Sequence, residues 1–221
     1  TDWRREVRSA MALQVEDHCE DLNSEVPQTS YSRWKDVIIP GHIDQWRARM
    51  LRRLNRPFGQ RDVLIAFHGR HAGNTKSYGN VSVRTQIVEE LDGLPGVSVG
   101  GFVQDYHDLL GHSIFCLAPR GITPWTIHLY VAMLAGCIPV ILSDDFEVPF
   151  QGLVDWPSFS IKWPQDKAGA ELYQHLSKMD MATMKEMKRK VDENACWVDY
   201  YSEEEACSPY VGVRRALEER R

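Results

Sequence analysis

Apolar residues along this chain fall into two patterns that take turns. Short runs with little polar interruption read as strands buried on both faces: Asp36-Val-Ile-Ile-Pro40, Asp62-Val-Leu-Ile-Ala-Phe67, Val97 to Val99, Ile114 to Leu117, Ile138 to Leu142 and Phe159-Ser-Ile161. Between them, apolar positions recur at helical spacing over Ile43 to Leu54, Val81 to Leu91, Asp105 to Leu110 and Pro124 to Ala135. Asn55 with Pro57, and Gly93-Leu-Pro-Gly96, supply the breaks. Strands that are wholly apolar and separated by helices imply an α/β fold: a Rossmann-like open parallel sheet with helices on both faces. Helical flanks are predicted at both ends. Trp3 to Leu22 carries Val7, Ala10, Met11 and Val15 on one stripe, and Lys167 to Lys178, Met181 to Trp197 and Val211 to Glu219 follow the last strand. The expected division is a flank over 1–34, the Rossmann-like domain over 35–165 and a helical region over 166–221 packing on that domain. No internal repeat, low-complexity tract or long linker interrupts it.

Composition narrows the function classes. With 43% hydrophobic residues and seven Trp in 221 residues, a sizeable core is available. The net charge of −5 gives no global case for nucleic acid or an anionic membrane. Lys185-Glu-Met-Lys-Arg-Lys190 reads as a solvated helix face. No apolar run approaches the ~20 residues of a membrane span. The charged start, TDWRREVRSAM, is no signal peptide and lacks an initiator Met, which reads as a processed product or part of a longer chain. Five Cys without CxxC spacing argue against zinc. Cys116 and Cys137 fall in or beside strand patterns and are expected to be inert core thiols. Cys196 and Cys207 flank an acidic stretch and either stay free or bridge in an oxidising compartment. Asn80-Val-Ser82 is an N-glycosylation sequon, a triplet common by chance.

The stretch Phe115 to Phe150 reads as strand, Pro/Gly loop, apolar helix, Gly turn, strand and acidic loop, one βαβ unit with polar loops at the carboxyl ends of its strands. Such loops are where open α/β sheets bind ligands. Thr123 is the predicted N-cap and Pro124 the first helical residue, leaving the N–H groups of Trp125 and Thr126 as a positive end suited to a diphosphate. Arg120 and Arg70 sit in strand-end loops and can fork onto phosphate oxygens. Arg84 either faces solvent or reaches the same crevice. Gly121 and Gly136 serve as turns or as close-approach points. His68 and His71 cap the strand end or act in the site. Trp125 reads as core or crevice wall, with stacking on a base as the alternative. Asp144-Asp145, a lone carboxylate pair, is weak ground for a metal, and none is expected.

The same residues resemble the exostosin family of glycosyltransferases. Ser113-Ile-Phe-Cys-Leu-Ala-Pro-Arg-Gly121, Thr123-Pro124, Ala135-Gly-Cys-Ile-Pro-Val-Ile141, Asp144 and Pro149-Phe150 carry the likeness. Lys35-Asp-Val-Ile-Ile-Pro40, His68-Gly-Arg70, Val83-Arg84, Leu153-Val-Asp-Trp156 and Phe159-Ser160 extend it in order over roughly Lys35 to Pro164. The resemblance implies the donor-binding, C-terminal half of a two-Rossmann-domain (GT-B-type) enzyme. The nucleotide-sugar site would lie in 35–165, formed by Arg70, Arg84, Arg120, Gly121, Thr123, Thr126 and His128. It further implies a UDP-sugar as donor substrate with no tightly bound cofactor, a glycan or glycoprotein acceptor, and an acceptor-side half N-terminal to residue 1 or on another subunit. The implied compartment is the Golgi or secretory-pathway lumen. In a transferase without a tightly held metal, these cationic groups stabilise the departing UDP by electrostatics.

Three positions differ from the family pattern. Where relatives carry a Ser-Arg pair followed one turn later by an acid, this chain reads Thr126, Ile127 and Val131. Thr126 keeps a hydroxyl and His128 stands one position beyond the lost Arg, but Val131 accepts no hydrogen bond. An unpaired ribose hydroxyl costs on the order of 1–3 kcal/mol, and a lost charge-assisted pair a similar amount. Together these lower the expected donor affinity by about two or more powers of ten. Two functional readings follow: an exostosin-like transferase domain, or a catalytically silent relative serving as a structural or binding module. A generic nucleotide-binding Rossmann protein fits less well, because no GxGxxG or Walker loop follows any strand.

Overall fold

The computed structural model describes residues 11, 13–15, 36–71, 82–121 and 123–219. Its centre is a five-stranded, wholly parallel sheet built from β3 (Val63–His68), β4 (Val97–Gly100), β5 (Ser113–Pro119), β6 (Ile138–Leu142) and β7 (Ile161–Lys162), in the spatial order β4-β3-β5-β6-β7. Parallel neighbours need crossovers, and helices supply them: α2 (Ser82–Leu91) between β3 and β4, α3 (Tyr106–His112) before β5, and α4 (Ile127–Leu134) between β5 and β6. From β3 the chain first moves outward to β4, then returns past β3 to β5 and continues the other way. The order therefore reverses between β3 and β5, and their carboxyl ends open the crevice in which doubly wound sheets hold ligands.

α4 shows why its sequence is apolar all round. Leu129 to Leu134 are all buried, because α4 lies against β5 and β6 on one side and is covered on the other by α1 (Gln45–Leu54), α6 (Met181–Asn194) and the tight turn Ala195–Val198. Gly136 ends it in a left-handed conformation, and a Cβ there would overlap the Asn55 side chain. Pro139 is tolerated within β6 because β7 pairs only from Val140 onward, so the strand is an edge where the missing N–H falls. α5 (Ala170–Ser177) and α7 (Pro209–Glu218) complete the helices of the described residues. None of these helices is long and apolar enough to cross a membrane.

Several expectations change. Leu13–Gln14, predicted as helix, form β1, paired in parallel with β2 (Val37–Ile38). There backbone pairing, including Ile39 N–H to the Gln14 carbonyl at 2.7 Å, overrides the helical spacing of side chains. The remainder of the proposed Trp3–Leu22 helix, apart from Met11 and Val15, lies outside the described residues, as does Asn80 of the sequon. β2 thus belongs to a two-stranded sheet and not to the central one. The strand expected at Phe159 starts only at Ile161, because Trp156–Ser158 close a 3-10 turn in which the Trp156 carbonyl accepts the Phe159 N–H.

The cysteines are the largest correction. Cys116 and Cys137 are not free thiols but a disulfide, with Cα atoms 5.8 Å apart. Phe115 is in register with Ile138, so Cys116 and Cys137 sit diagonally across the β5–β6 ladder, within bridging reach. Cys196 and Cys207 form a second bridge.

Candidate functional site

At the carboxyl ends of β3, β5 and β6 the structure gathers most of the singled-out residues. Arg120 follows β5, and its N–H donates to the Leu142 carbonyl at 3.0 Å, which ties the β5 loop to the end of β6. Its side chain is only 8% exposed as a residue, faces Asp145 at 3.8 Å, and its Nε finds no acceptor among the described residues. Ser143, at the end of β6, likewise has a buried Oγ without a partner there. Buried polar atoms left unpaired are costly, so two on adjacent strand ends mark a place shaped for something polar.

Arg84 does not face solvent. It is buried on α2, its Nε donating to the Arg120 carbonyl at 2.8 Å and its Nη2 to the Pro119 carbonyl at 3.2 Å, with the guanidinium over the Phe67 ring. Burial lowers its pKa, and Arg70 adds to the effect. Arg84 therefore holds the loop that carries Arg120. Arg70 itself lies exposed on the loop after β3.

The start of α4 differs from the sequence expectation. Gly121 N–H bonds the Thr123 carbonyl at 2.9 Å, so the loop turns there and continues non-helical through Pro124 and Trp125. Thr126, not Thr123, is the N-cap, in extended conformation, with its Oγ accepting from His128 N–H at 3.4 Å. The positive end of the helix is thus displaced to the N–H groups around Ile127 and His128. A Cβ on Gly121 would press on the Trp125 carbonyl at 3.3 Å, which gives that glycine a packing reason.

His128 turns inward. Its Nδ1 lies 2.7 Å from the Tyr106 hydroxyl, its ring packs on Phe67, and its Nε2 abuts Gly69, where a Cβ would come within 3.2 Å. Burial, followed by the nearby charges of Arg84 and Arg47, depresses the imidazole pKa to about 3. Burial likewise raises that of Tyr106. The phenol stays protonated and shares one hydrogen bond with Nδ1 of the neutral ring. His68 has a capping role: its Nδ1 donates to the Gly101 carbonyl at 2.8 Å and its Nε2 lies 3.0 Å from Ser98 Oγ. Among the described residues, the grouping of three metal-ligand side chains is Cys196, Glu204 and Cys207, whose sulfurs are already joined to each other.

The His128 pocket makes a pH prediction. Above the unfolded value of about 6.5 neither state is protonated; below it the unfolded chain takes up a proton that the folded chain refuses until about 3. Stability is therefore retained above pH 6.5 and lost as pH falls. Between pH 7.5 and pH 5 the wild type loses about 2 kcal/mol that His128→Gln does not lose, measured by urea unfolding at the two pH values. Equal acid losses in the two proteins would contradict the buried neutral imidazole.

Tyr106 and Ser143 are site residues that sequence reasoning missed. Neither lies in a motif, and only the crossing of α3 over the end of β3 brings Tyr106 to His128.

The sequence profile of the Exostosin GT47 domain matches residues 2–179. A protein of Oryza sativa subsp. japonica named a probable glucuronosyltransferase is 29% identical over 135 residues, covering 57% of this chain and 30% of its own. A probable glucuronoxylan glucuronosyltransferase of Arabidopsis thaliana is 28% identical over 130 residues, 57% of this chain and 28% of its own. A probable glucuronosyltransferase of Physcomitrium patens is 31% identical over 130 residues, with the same two coverages. The aligned segments take in about a third of the length of these relatives.

Proposed function

The chain belongs to the exostosin GT47 family, and we propose that it is the nucleotide-sugar-binding half of a glycosyltransferase whose donor is a UDP-sugar and whose acceptor is a glycan. The relatives carry glucuronosyltransferase names, so UDP-glucuronate is the first donor to test, and a xylan-type polysaccharide the first acceptor. The observation that carries the reading is Arg120. Its guanidinium is held at the reversal of strand order, buried, with Nε unpaired and its backbone fixed on one side by Arg84 and on the other by β6. A diphosphate laid across the β5 loop would meet this fork and the N–H groups at the start of α4, an arrangement suited to the negative charge that grows as UDP departs. Thr126 and the Gly121–Thr123 turn shape that loop; Arg70 stands on the neighbouring one. Two disulfides suit folding in an oxidising lumen such as the secretory pathway.

Calorimetric titration with UDP and UDP-glucuronate tests this. Arg120→Ala is expected to weaken UDP binding tenfold to about a hundredfold, the size of a lost charge-assisted contact. No binding of either ligand at millimolar concentration would remove the donor role.

A silent module is the second reading, and Val131 favours it. The position where the family resemblance implies an acid is 0% exposed here, Ile127 one turn before it is packed against the core, and Arg84 donates to backbone carbonyls. UDP binding without sugar transfer, after the acceptor-side part has been supplied, would select this reading.

A further inference from the structure

We propose that the rings of His42, Tyr200, Tyr201 and Tyr210 form a platform that binds a neutral saccharide chain beside the β5–α4 loop. The inference takes its ligand class from the glycosyltransferase reading, while the platform itself stands on geometry. Three separate segments bring the rings together: the loop after β2, the chain just past the Ala195–Val198 turn, and the first turn of α7. His42 lies 5.6 Å from Tyr200 and 5.8 Å from Tyr201, and Tyr200 lies 5.7 Å from Tyr210.

These rings are fixed without being buried in the core. Tyr200 donates its hydroxyl to the Pro40 carbonyl at 2.7 Å, and the Tyr201 hydroxyl is 2.9 Å from His42 Nε2. The Cys196–Cys207 bridge closes the loop that carries both tyrosines, and Ser208 caps α7 through Val211 N–H just before Tyr210. Yet Tyr201 is 40% and Tyr210 66% exposed, and His42 is exposed as well. The rings stand tilted or edge-on to one another, at 54°, 65° and 84°, with Tyr200 half-buried between the others. The exposed rings of Tyr201 and Tyr210 can each meet the C–H face of a sugar ring while its hydroxyls stay wet. A pre-formed surface also avoids much of the ordering cost of binding.

Charge narrows the ligand. The chain runs from Tyr201 into exposed Glu203, Glu204 and Glu205, and from His42 into exposed Asp44; these four acids outnumber Arg214 and Arg215 of α7, the latter donating to the Ala206 carbonyl of the same loop. A polyanionic chain is repelled there and a neutral one is not. Position ties the platform to the candidate site. Gly41, between Pro40 and His42, lies so close to the Trp125 indole that a Cβ would collide with it, and Trp125 belongs to the loop that begins at Arg120. A saccharide lying on the rings would end next to that loop.

The test titrates the full chain with neutral β-linked hexasaccharides (xylo-, cello- and mannohexaose), with oligogalacturonate, and separately with UDP. At least one neutral hexasaccharide is expected to bind, and Tyr210→Ala and Tyr201→Ala, both at exposed rings, each to weaken it about tenfold. UDP affinity should stay unchanged in both variants. The platform is overturned if no neutral hexasaccharide binds, if the two substitutions leave binding intact, or if oligogalacturonate binds more tightly. It is also overturned if the substitutions abolish self-association and nothing else. Saccharide binding without UDP binding would uphold the platform and remove the donor role; the converse would uphold the donor role and remove the platform.

Discussion

Arg61→Met lowers the unfolding free energy by about 3–5 kcal/mol and the melting temperature by roughly 10 °C, the largest single-residue effect expected in this chain. The guanidinium is buried at the foot of β3, and each of its five N–H groups has an acceptor. Nε donates to the Arg56 carbonyl at 3.0 Å, one Nη to the carbonyls of Leu110 and Ser113, and the other to Asn55 Oδ1 and the Ala135 carbonyl, both at 2.8 Å. One side chain thereby joins the segment after α1, the end of α3, the start of β5 and the end of α4. Burial lowers its pKa to about 10, which still leaves it charged at neutral pH. Methionine fills much of the volume but removes a donor from four backbone carbonyls, of which that of Leu110 still accepts the Ser113 N–H. Lysine would supply three donors from one point and cannot span the four segments, so Arg61→Lys should recover only part of the loss. Thermal unfolding of the three proteins checks the order. Because Arg61 lies at the amino end of the sheet, opposite Arg120, the folded variant should bind UDP with unchanged affinity. A stability within about 1 kcal/mol of wild type would mean that water replaces the guanidinium at these carbonyls.

How much of this was legible in the sequence depends on whether the governing interaction is local. The strands Asp62–Phe67 and Ile138–Leu142, and the helix over Ile43–Leu54, follow from runs and breaks, and they fall within two residues of where the pattern places them, the helix starting at Gln45 behind an Asp44 cap. Thr123-Pro124 carries an equally good local start signal and fails, because a turn closed by Gly121 and Thr123 delays the helix to Thr126. For Arg84 the sequence leaves open a solvent-facing position or one reaching the crevice, since its acceptors are carbonyls at the end of a strand 35 and 36 residues away. The depressed pKa of His128 is invisible for a similar reason: its partner Tyr106 belongs to a different crossover. That Arg120 stands in a loop at the carboxyl end of β5 was readable from strand–loop–helix order. Which side chains hold that loop needed the pairing of β5 with β3 and β6.

Replacing Cys116 and Cys137 together by alanine is expected to cost about 3 kcal/mol, the chain-entropy effect of opening a loop whose ends are separated by 21 positions in sequence. The bridge encloses the segment on which the functional reading depends: Arg120, the Gly121–Thr123 turn, the Thr126 cap and all of α4. Its ends lie on β5 and just before β6, two strands already in register, so the constraint acts mainly on the intervening loop and helix. Loss of the bridge should therefore do more than lower the melting temperature. In the folded double variant the β5–α4 loop has more conformations to lose on meeting a diphosphate, and UDP affinity should fall several-fold although no contacting residue has changed. Removing Cys196 and Cys207 instead should weaken saccharide binding at the tyrosines and leave UDP binding alone, which separates the two bridges by function. Tryptic mapping without reductant checks the pairing, since cleavage after Arg120 leaves Cys116 and Cys137 on peptides joined only by their sulfurs, whereas Cys196 and Cys207 share one peptide. Free thiols at 116 and 137 in protein folded under oxidising conditions would contradict the bridge. Unchanged UDP affinity in a destabilised double variant would confine its role to stability.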